Sequence, residues 1–328
     1  MNNDRCQRSI AGGKNIASID IGSHTARLLV AKRIDTPELF EPLARDRAYI
    51  RLAEGFGVQG IGSISTEAIE RTLKVLEKFL LTLKEFGAED IRAVTTGVVR
   101  RADNRNYFLS LIHEKTGIDV TGITGEEEAR LTYKGVLRAI NIDDGTSVIF
   151  DLGGGTTEFI SRQKDGIKAI SVPLGAVLLT QRFLDSDPPR DDKIEALSGY
   201  TDDILEKALP RRKYDGKIAI LAGSGGTVTT LAAMLKNIDI KGITPDKLNG
   251  LILERRQIED LFDHMKSVSI SERMRLPGLD RGRAGVILAG TMAVIRILYF
   301  FNCVRMTVSH SDILEGILIS YLQGEQDE

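Results

Sequence analysis

The chain has no tryptophan, only two cysteines and few aromatic residues. Aromatic side chains make up 5% of its 328 residues, which argues against base stacking and against a sequence-specific nucleic-acid partner. Cys6 and Cys303 are far apart, and we interpret them as free thiols rather than as a disulfide framework. Neither the cysteines nor the four histidines have the spacing of zinc ligands or of a nucleophile and its base.

The chain also lacks a strong net charge and a long hydrophobic run. The formal net charge is −2, so binding of a polyanion must depend on local placement of charge. The longest apolar stretch, 284–295, is shorter than the roughly 20 residues that a membrane-spanning helix needs. Residues 1–14 are polar and contain no apolar core of a signal peptide. We therefore expect a cytoplasmic protein without a membrane partner.

Two copies of one pattern are present, at 16–30 and at 148–160. Each copy has an apolar run that ends in an aspartate (Asp20 or Asp151), then small residues, then threonine and a second apolar run, which predicts a tight β-hairpin. The glycine-rich turn offers backbone N–H groups to an anion, and the aspartate suits a hard cation. Two such hairpins facing each other would clamp a metal-bound phosphate from both sides.

Between and after the hairpins, the sequence alternates strand and helix signals. In the first half we predict a strand at 48–52, a helix from the N-cap Ser65 to Gly87, a strand at 91–95 and helices at 103–115 and from Thr124 to about 139. In the second half we predict helices at 191–209, 226–235, 248–266, 285–301 and 312–322 and strands at 218–221 and 306–309. This order indicates mixed sheets covered by helices.

A third segment of small residues, 221–227, follows a predicted strand and opens a helix. Its candidate anion-binding residues are Gly223, Ser224, Gly225, Gly226 and Thr227. A helix N-terminus behind glycine-rich backbone binds anions readily, although close packing of a strand against a helix also explains such glycines.

This combination resembles the actin-like phosphotransferase superfamily and, within it, the exopolyphosphatase/guanosine pentaphosphate phosphohydrolase family. Further matching segments are RLAEG (51–55), TTGVVRRADN (95–104), TGEEEARL (124–131) and DLGGGTTE (151–158). The resemblance covers about residues 15 to 320. It implies two actin-like, ribonuclease H-like α/β domains, 1–130 with 310–328 and 131–309, whose mixed β-sheets are flanked by helices and whose active-site cleft lies between them.

The resemblance also implies roles for single residues. Glu128 matches the family's general base, and Glu158 matches an acid near the metal and the attacking water. Asp20 and Asp151 match metal-associated acids, so Mg²⁺ or another divalent cation is the expected cofactor. Arg100 matches an arginine that contacts phosphate. The remaining phosphate-binding positions implied are Gly22, Ser23, His24, Thr25, Gly153, Gly154, Gly155 and Thr156.

Without the resemblance, the residues leave the base undecided. Thr124 and Glu127 form a capping-box signature, and the three adjacent glutamates are ordinary charges for a helix start. Only the family motif selects Glu128. The chain also departs from the family pattern at three positions: His24, where asparagine is common, Gly285 in place of aspartate and Leu314 in place of arginine.

Three classes of function follow. The first is an exopolyphosphatase, or an enzyme with the same chemistry acting on guanosine pentaphosphate as in the stringent response; the others are a kinase or chaperone of the superfamily and a non-catalytic polyphosphate or alarmone sensor. Glu128, Asp151 and Glu158 favour the first class, and the absence of long C-terminal domains favours polyphosphate. A homodimer is compatible with the resemblance. Candidates for a basic track are Arg100, Arg101, Arg105, Arg211, Arg212, Lys213, Arg273, Arg275, Arg281 and Arg283.

Overall fold

The computed structural model describes residues 14–54, 62–140, 142, 147–163, 166–209 and 218–324. Two mixed β-sheets with covering helices form this part, which confirms the predicted α/β class. Within these ranges, no helix combines the length and apolar character that a bilayer crossing requires. Cys6 and the basic residues predicted at 211–213 lie outside the described residues.

The first sheet has the strand order β3-β2-β1-β4-β5. Its strands are β1 (Asn15–Ile21), β2 (Thr25–Arg33), β3 (Phe40–Tyr49), β4 (Ala88–Thr95) and β5 (Val120–Gly122). β1 pairs with β2 in antiparallel and with β4 in parallel orientation, so the first predicted hairpin is confirmed. Its register places Asp20 opposite Arg27.

The predicted third strand at 48–52 is wrong in position, because β3 begins at Phe40 and ends at Tyr49. β3 lies at the edge of the sheet, and most of its side chains are exposed or half-buried. The prediction depended on an apolar run, and this edge strand does not contain one.

The helices of the first half agree with the predictions. They are α1 (Thr66–Glu85), α2 (Arg105–Thr116) and α3 (Gly125–Ala139). The Ser65 side chain caps α1 by accepting from the Ala68 N–H at 3.2 Å. At α3, Thr124 and Glu127 form the predicted capping box, so Glu127 is engaged in holding the start of the helix.

The second sheet has the strand order β10-β11-β9-β6-β7-β8. Its strands are β6 (Ser147–Leu152), β7 (Thr157–Gln163), β8 (Gly166–Val172), β9 (Ile220–Ser224), β10 (Ile252–Glu254) and β11 (Arg305–Val308). β6 and β7 form the second predicted hairpin, in which Asp151 lies opposite Glu158. β9 pairs with the other edge of β6 and places Ser224 beside Asp151.

The helices of the second half cover this sheet. They are α4 (Ala176–Phe183), α5 (Asp191–Ala208), α6 (Gly226–Leu235), α7 (Pro245–Leu248), α8 (Arg255–Lys266), α9 (Ile270–Arg273), α10 (Ile287–Phe300) and α11 (Ile313–Leu322). The helix predicted at 248–266 is wrong in its first part, since α8 begins only at Arg255. Leu253 instead pairs with Met306 of β11, and this partner is remote in sequence.

Two helices, α3 and α11, cross at very short range. A β-carbon on Gly135 of α3 would collide with the Asp312 carbonyl, and one on Gly316 of α11 would collide with the Leu131 carbonyl. α11 also packs against β1 and β2 of the first sheet. The crossing therefore fixes the first turn of α3 relative to the first sheet, while the division into domains at 130 and 310 stays a prediction.

Candidate active site

A cavity of about 360 Å³ lies where the two hairpin turns meet. The predicted site residues that line it are Asp20, Gly22, Ser23, His24, Thr25, Glu128, Asp151, Gly153, Gly154, Gly155, Thr156, Gly225, Gly226 and Thr227. The turns are close together, since a β-carbon on Gly154 would lie 3.3 Å from the β-carbon of His24. Four predicted site residues do not line the cavity: Arg100, Glu158, Gly223 and Ser224.

Each turn is closed by an equivalent hydrogen bond. The Gly22 N–H donates to the Thr25 carbonyl at 3.0 Å, and the Gly153 N–H donates to the Thr156 carbonyl at 2.9 Å. These two N–H groups are thus used within their own turns. Any anion at the turns must be bound by the groups between them.

The loop in the third small-residue segment is shorter than predicted. Gly223 and Ser224 belong to β9, and only Gly225 separates this strand from α6. Gly223 is a packing residue, because a β-carbon there would lie 2.7 Å from the ring of Phe150. Gly225 has a φ of +92°, which favours glycine, and it brings the N-terminus of α6 close to Asp151.

Glu128 lies in the first turn of α3, is buried, and lines the cavity. Its Oε2 accepts from Nη1 of Arg100 at 3.1 Å, and the same nitrogen donates to the Ile123 carbonyl at 3.1 Å. Burial and the carboxylate of Glu158 raise the pKa of Glu128 well above its usual value, although Arg100 opposes this shift. A carboxylate with a raised pKa binds a proton more tightly, and is thus a stronger base, than an ordinary glutamate.

Glu158 is almost fully buried, at 1% exposure, beside the cavity. Its Oε1 accepts from the Ser171 hydroxyl at 2.7 Å. Because Glu158 and Asp151 face each other on neighbouring strands, their side chains share one face of the sheet. Burial raises the pKa of Glu158, and the Ser171 hydrogen bond opposes this effect.

The two hairpin aspartates are buried, and each keeps one oxygen without a partner. Arg27 donates to Oδ2 of Asp20 through Nε at 3.0 Å and Nη2 at 2.7 Å, which leaves Oδ1 of Asp20 unpaired. Oδ1 of Asp151 is likewise buried without a hydrogen-bond partner. Burial, followed by the charge of Asp312, raises the pKa of Asp151 to about 7.

These unpaired oxygens fit a divalent cation such as Mg²⁺. Mg²⁺ is usually bound through one or two carboxylates and keeps several of its waters. In the described part of the chain, no group of three His, Cys, Asp or Glu side chains is arranged to hold a metal ion alone. The site therefore suits a hydrated ion held by few carboxylates, rather than a closed cage of protein ligands.

Two residues of this site were not identified from the sequence. Arg27 bonds Asp20 and also forms an ion pair with Asp312, which caps α11. The signal for Arg27 is an arginine directly before the buried apolar run 28–31 of β2. Nothing in the local sequence of Asp312 distinguishes it from an ordinary helix cap.

His24 and Arg283 lie together at one side of the cavity. The His24 ring meets the Tyr49 ring edge to face, with 5.2 Å between their centroids. Burial and the charge of Arg283 lower the pKa of His24 to about 4, so this imidazole is neutral at pH 7. The Arg283 guanidinium lies directly against Gly226, at the start of α6.

A match to a family model identifies the protein family of this chain. The model of the Ppx/GppA phosphatase family matches residues 29–325 of the chain. The chain belongs to the Ppx/GppA phosphatase family. The protein is thus a phosphatase of the class that cleaves phosphoric anhydride bonds, and the resemblance inferred from the sequence motifs is confirmed.

Relatives of known sequence and structure agree with this assignment. Exopolyphosphatase 2 of Mycobacterium tuberculosis is 30% identical over 321 residues, which cover 93% of this chain and 98% of the relative. The crystal structure of an exopolyphosphatase from Cytophaga hutchinsonii is similar with a TM-score of 0.86 and 28% identity, covering 95% and 99% of the two chains. These neighbours confirm the actin-like fold of the Ppx/GppA family.

A longer relative contains the same region as one of its parts. The bifunctional 3-dehydroquinate synthase/phosphatase of Fusobacterium nucleatum is 28% identical over 317 residues. The match covers 94% of this chain, which spans only 47% of that relative.

Two departures from the Ppx/GppA pattern, Gly285 and Leu314, have different surroundings. A side chain at Gly285 would meet open space, so the position tolerates a larger residue. Leu314 is buried in a cluster with Ile16, Leu29 and Phe40, and it also lines the cavity.

Arg273, a candidate for the basic track, is buried and pairs with Asp187 at 2.8 Å, so it is unsuited to binding a polyanion.

Proposed function

We propose that this protein is an exopolyphosphatase, which releases terminal orthophosphate from inorganic polyphosphate by attack of water. The observation that carries the proposal is the position of Glu128. It is a buried carboxylate with a raised pKa, and it lines a cavity between two Asp-Gly hairpin turns. The relatives named exopolyphosphatase support polyphosphate as the substrate.

In the proposed reaction, the Glu128 carboxylate removes a proton from a water molecule. The water oxygen forms a bond to the terminal phosphorus, and the bond from this phosphorus to the bridging oxygen breaks. The shortened polyphosphate leaves with the bridging oxygen. Arg100 holds Glu128 in place through its 3.1 Å hydrogen bond, so it acts here as a positioning residue.

The two hairpin turns provide the phosphate-binding groups in this proposal. Ser23 to Thr25 and Gly154 to Thr156 offer backbone N–H groups and hydroxyls on facing sides of the cavity. Gly225 to Thr227 add the N-terminus of α6. Gly22 and Gly153 shape the turns, whereas Gly223 and Ser224 support them from β9.

Asp20 and Asp151 are the residues proposed to hold Mg²⁺, through their unpaired Oδ1 atoms. Glu158 lies opposite Asp151 and is proposed to contact the waters of the ion. The bound ion would neutralise negative charge on the phosphate oxygens. We also propose a cytoplasmic location and the two domains expected from the sequence, with the cavity between them.

The test is Mg²⁺-dependent phosphate release from long-chain polyphosphate, guanosine pentaphosphate and ATP. Glu128→Gln should reduce release from polyphosphate by a factor on the order of 10²–10⁴, because it removes the base. The matched control is Glu127→Gln on the same helix turn. Glutamine preserves the capping box, so this variant should keep its activity.

Each other outcome excludes part of the proposal. Phosphate release from guanosine pentaphosphate alone would show that this compound, and not polyphosphate, is the substrate. Transfer of phosphate from ATP to an acceptor would indicate a kinase. Binding of polyphosphate by a folded protein that releases no phosphate would indicate a sensor. Equal losses in the two glutamine variants would contradict the assignment of Glu128.

A further inference from the structure

The arginines around the cavity differ in whether a carboxylate already neutralises them. The ion pairs are Arg27 with Asp20 and Asp312, Arg45 with Glu315, Arg47 with Asp280, and Arg100 with Glu128. A guanidinium held this way has fewer donors left for a substrate. Two arginines of this region, Arg101 and Arg283, form no ion pair among the described residues, and each has a buried nitrogen without a hydrogen-bond partner. The Arg283 guanidinium packs against Gly226, so Arg101 is the one to consider first as an anion-binding group.

Arg101 is such a residue, and it directly follows Arg100 in the sequence. Its Nη2 is buried without a hydrogen-bond partner, and Arg101 forms no ion pair among the described residues. Burial and the neighbouring charge of Arg100 lower its pKa. A buried donor of a cation is costly unless it is hydrogen-bonded, so this nitrogen is suited to an acceptor from outside the chain.

The position of Arg101 identifies that acceptor. Its Nη2 lies 3.8 Å from the point that a β-carbon on Gly155 would occupy, in the turn of the second hairpin. The Ser23 hydroxyl oxygen, from the turn of the first hairpin, lies 3.2 Å from the same point. Arg101 does not line the cavity itself, but Gly155 and Ser23 do, so an anion bound between the two turns would lie near the Arg101 side chain.

We propose that Arg101 binds an oxygen of the phosphate chain at the turn of the second hairpin, whereas Arg100 positions Glu128. The two adjacent arginines thus have different roles: Arg100 contacts the base, and Arg101 contacts the substrate. A guanidinium suits phosphate because its planar N–H groups match the oxygens. The inference rests on the proposed function and adds a substrate-binding residue to it.

The experiment measures binding of inorganic tripolyphosphate by calorimetry, in the Glu128→Gln background and without Mg²⁺. Arg101→Gln should raise the dissociation constant about 10- to 100-fold, which corresponds to loss of a hydrogen bond to a charged group. Arg101→Lys should have a smaller effect, because it keeps the charge but not the fork. The control is Arg130→Gln, which removes the same charge from an exposed arginine paired with Glu126 at 3.2 Å.

Thermal unfolding separates loss of binding from loss of folding. Without tripolyphosphate, Arg101→Gln should unfold at the same temperature as its parent or higher, because the unpaired buried donor is gone. With tripolyphosphate, the variant should show a smaller rise in unfolding temperature than the parent. Parent-like binding by Arg101→Gln, or equal weakening in Arg101→Gln and Arg130→Gln, would overturn the inference alone. A parent that neither binds tripolyphosphate nor, with Glu128 restored, hydrolyses polyphosphate would overturn the proposed function too.

Discussion

At the scale of single residues, acidic groups whose charges are only partly neutralised are concentrated in and next to the cavity. Asp20, Glu128, Asp151 and Glu158 are all buried, and burial raises the pKa of each of them. Burial without full neutralisation destabilises a folded protein, and it is typical of functional sites. The cation expected at the two aspartates would relieve this cost, so stability and metal binding should be linked.

Asp151→Asn should reveal this cost as a function of pH. The pKa of Asp151 is about 7 when folded, above its ordinary value of 3.8, so the folded protein holds the proton more tightly. The contribution of Asp151 to the free energy of unfolding should therefore fall as pH rises from about 4 to about 7. At pH 8 without Mg²⁺, we expect Asp151→Asn to be more stable than the unaltered protein, by about 1–4 kcal/mol.

The measurement is thermal or urea unfolding at pH 4 and pH 8, with and without Mg²⁺. The stabilising effect should be small at pH 4, and Mg²⁺ should reduce it at pH 8. Asp246→Asn, at an exposed position on α7, provides the control. An Asp151→Asn effect that is independent of pH would contradict this prediction.

At the scale of secondary-structure elements, the crossing of α3 and α11 depends on two glycines. Because backbone carbonyls lie where their β-carbons would be, neither helix can move closer or carry a side chain at the crossing. α3 carries Glu128, and Asp312 caps α11 and binds Arg27. The crossing therefore helps to position the proposed base relative to Asp20 of the first hairpin.

Gly135→Ala should destabilise the protein by about 3 kcal/mol or more, because the added methyl group overlaps the Asp312 carbonyl. Gly199→Ala on α5 is the matched control, since a β-carbon there meets nothing within 4 Å. The control should be stabilised by about 0.5–1 kcal/mol through helix propensity. Urea unfolding measures both effects, and similar values for the two variants would show that the crossing tolerates a side chain.

Some secondary-structure elements were predictable from the sequence, and others were not. Both hairpins and the capped helices α1 and α3 were correct, because their signals are local: an apolar run that ends in Asp and glycines, or a cap followed by a periodic apolar face. β3 was misplaced, and the other three edge strands, β5, β8 and β10, were missed. Each edge strand pairs with a single inner strand, and such pairing leaves little trace in the local sequence.

At the scale of the whole molecule, side-chain contacts connect the halves built around the two sheets. Arg47 of β3 forms an ion pair with Asp280, which precedes α10. Gln181 of α4 donates to the Ala53 carbonyl at 3.1 Å. These contacts hold the halves together without involving the hairpin turns, so they are suited to limit opening of the cleft.

Combined substitution of Arg47→Ala and Gln181→Ala should increase the radius of gyration in the absence of substrate. Tripolyphosphate with Mg²⁺ should reduce it again, because a ligand that bridges the two turns favours the closed arrangement. Small-angle X-ray scattering measures both changes, with Arg130→Ala as a surface control. Superimposable scattering profiles for the double variant with and without ligand would argue against a closing cleft.

The sequence by itself determined the two hairpins, the α/β class, the family and the choice of Glu128 as the candidate base. These follow from residues that are neighbours in the chain or that belong to a recognisable motif. Only the tertiary structure decided how the charges are paired: Arg27 with Asp20 and Asp312, Arg100 with Glu128, and Arg101 with no carboxylate. Ion pairing and burial depend on which elements meet in space, and α11 reaches the first hairpin from the far end of the chain.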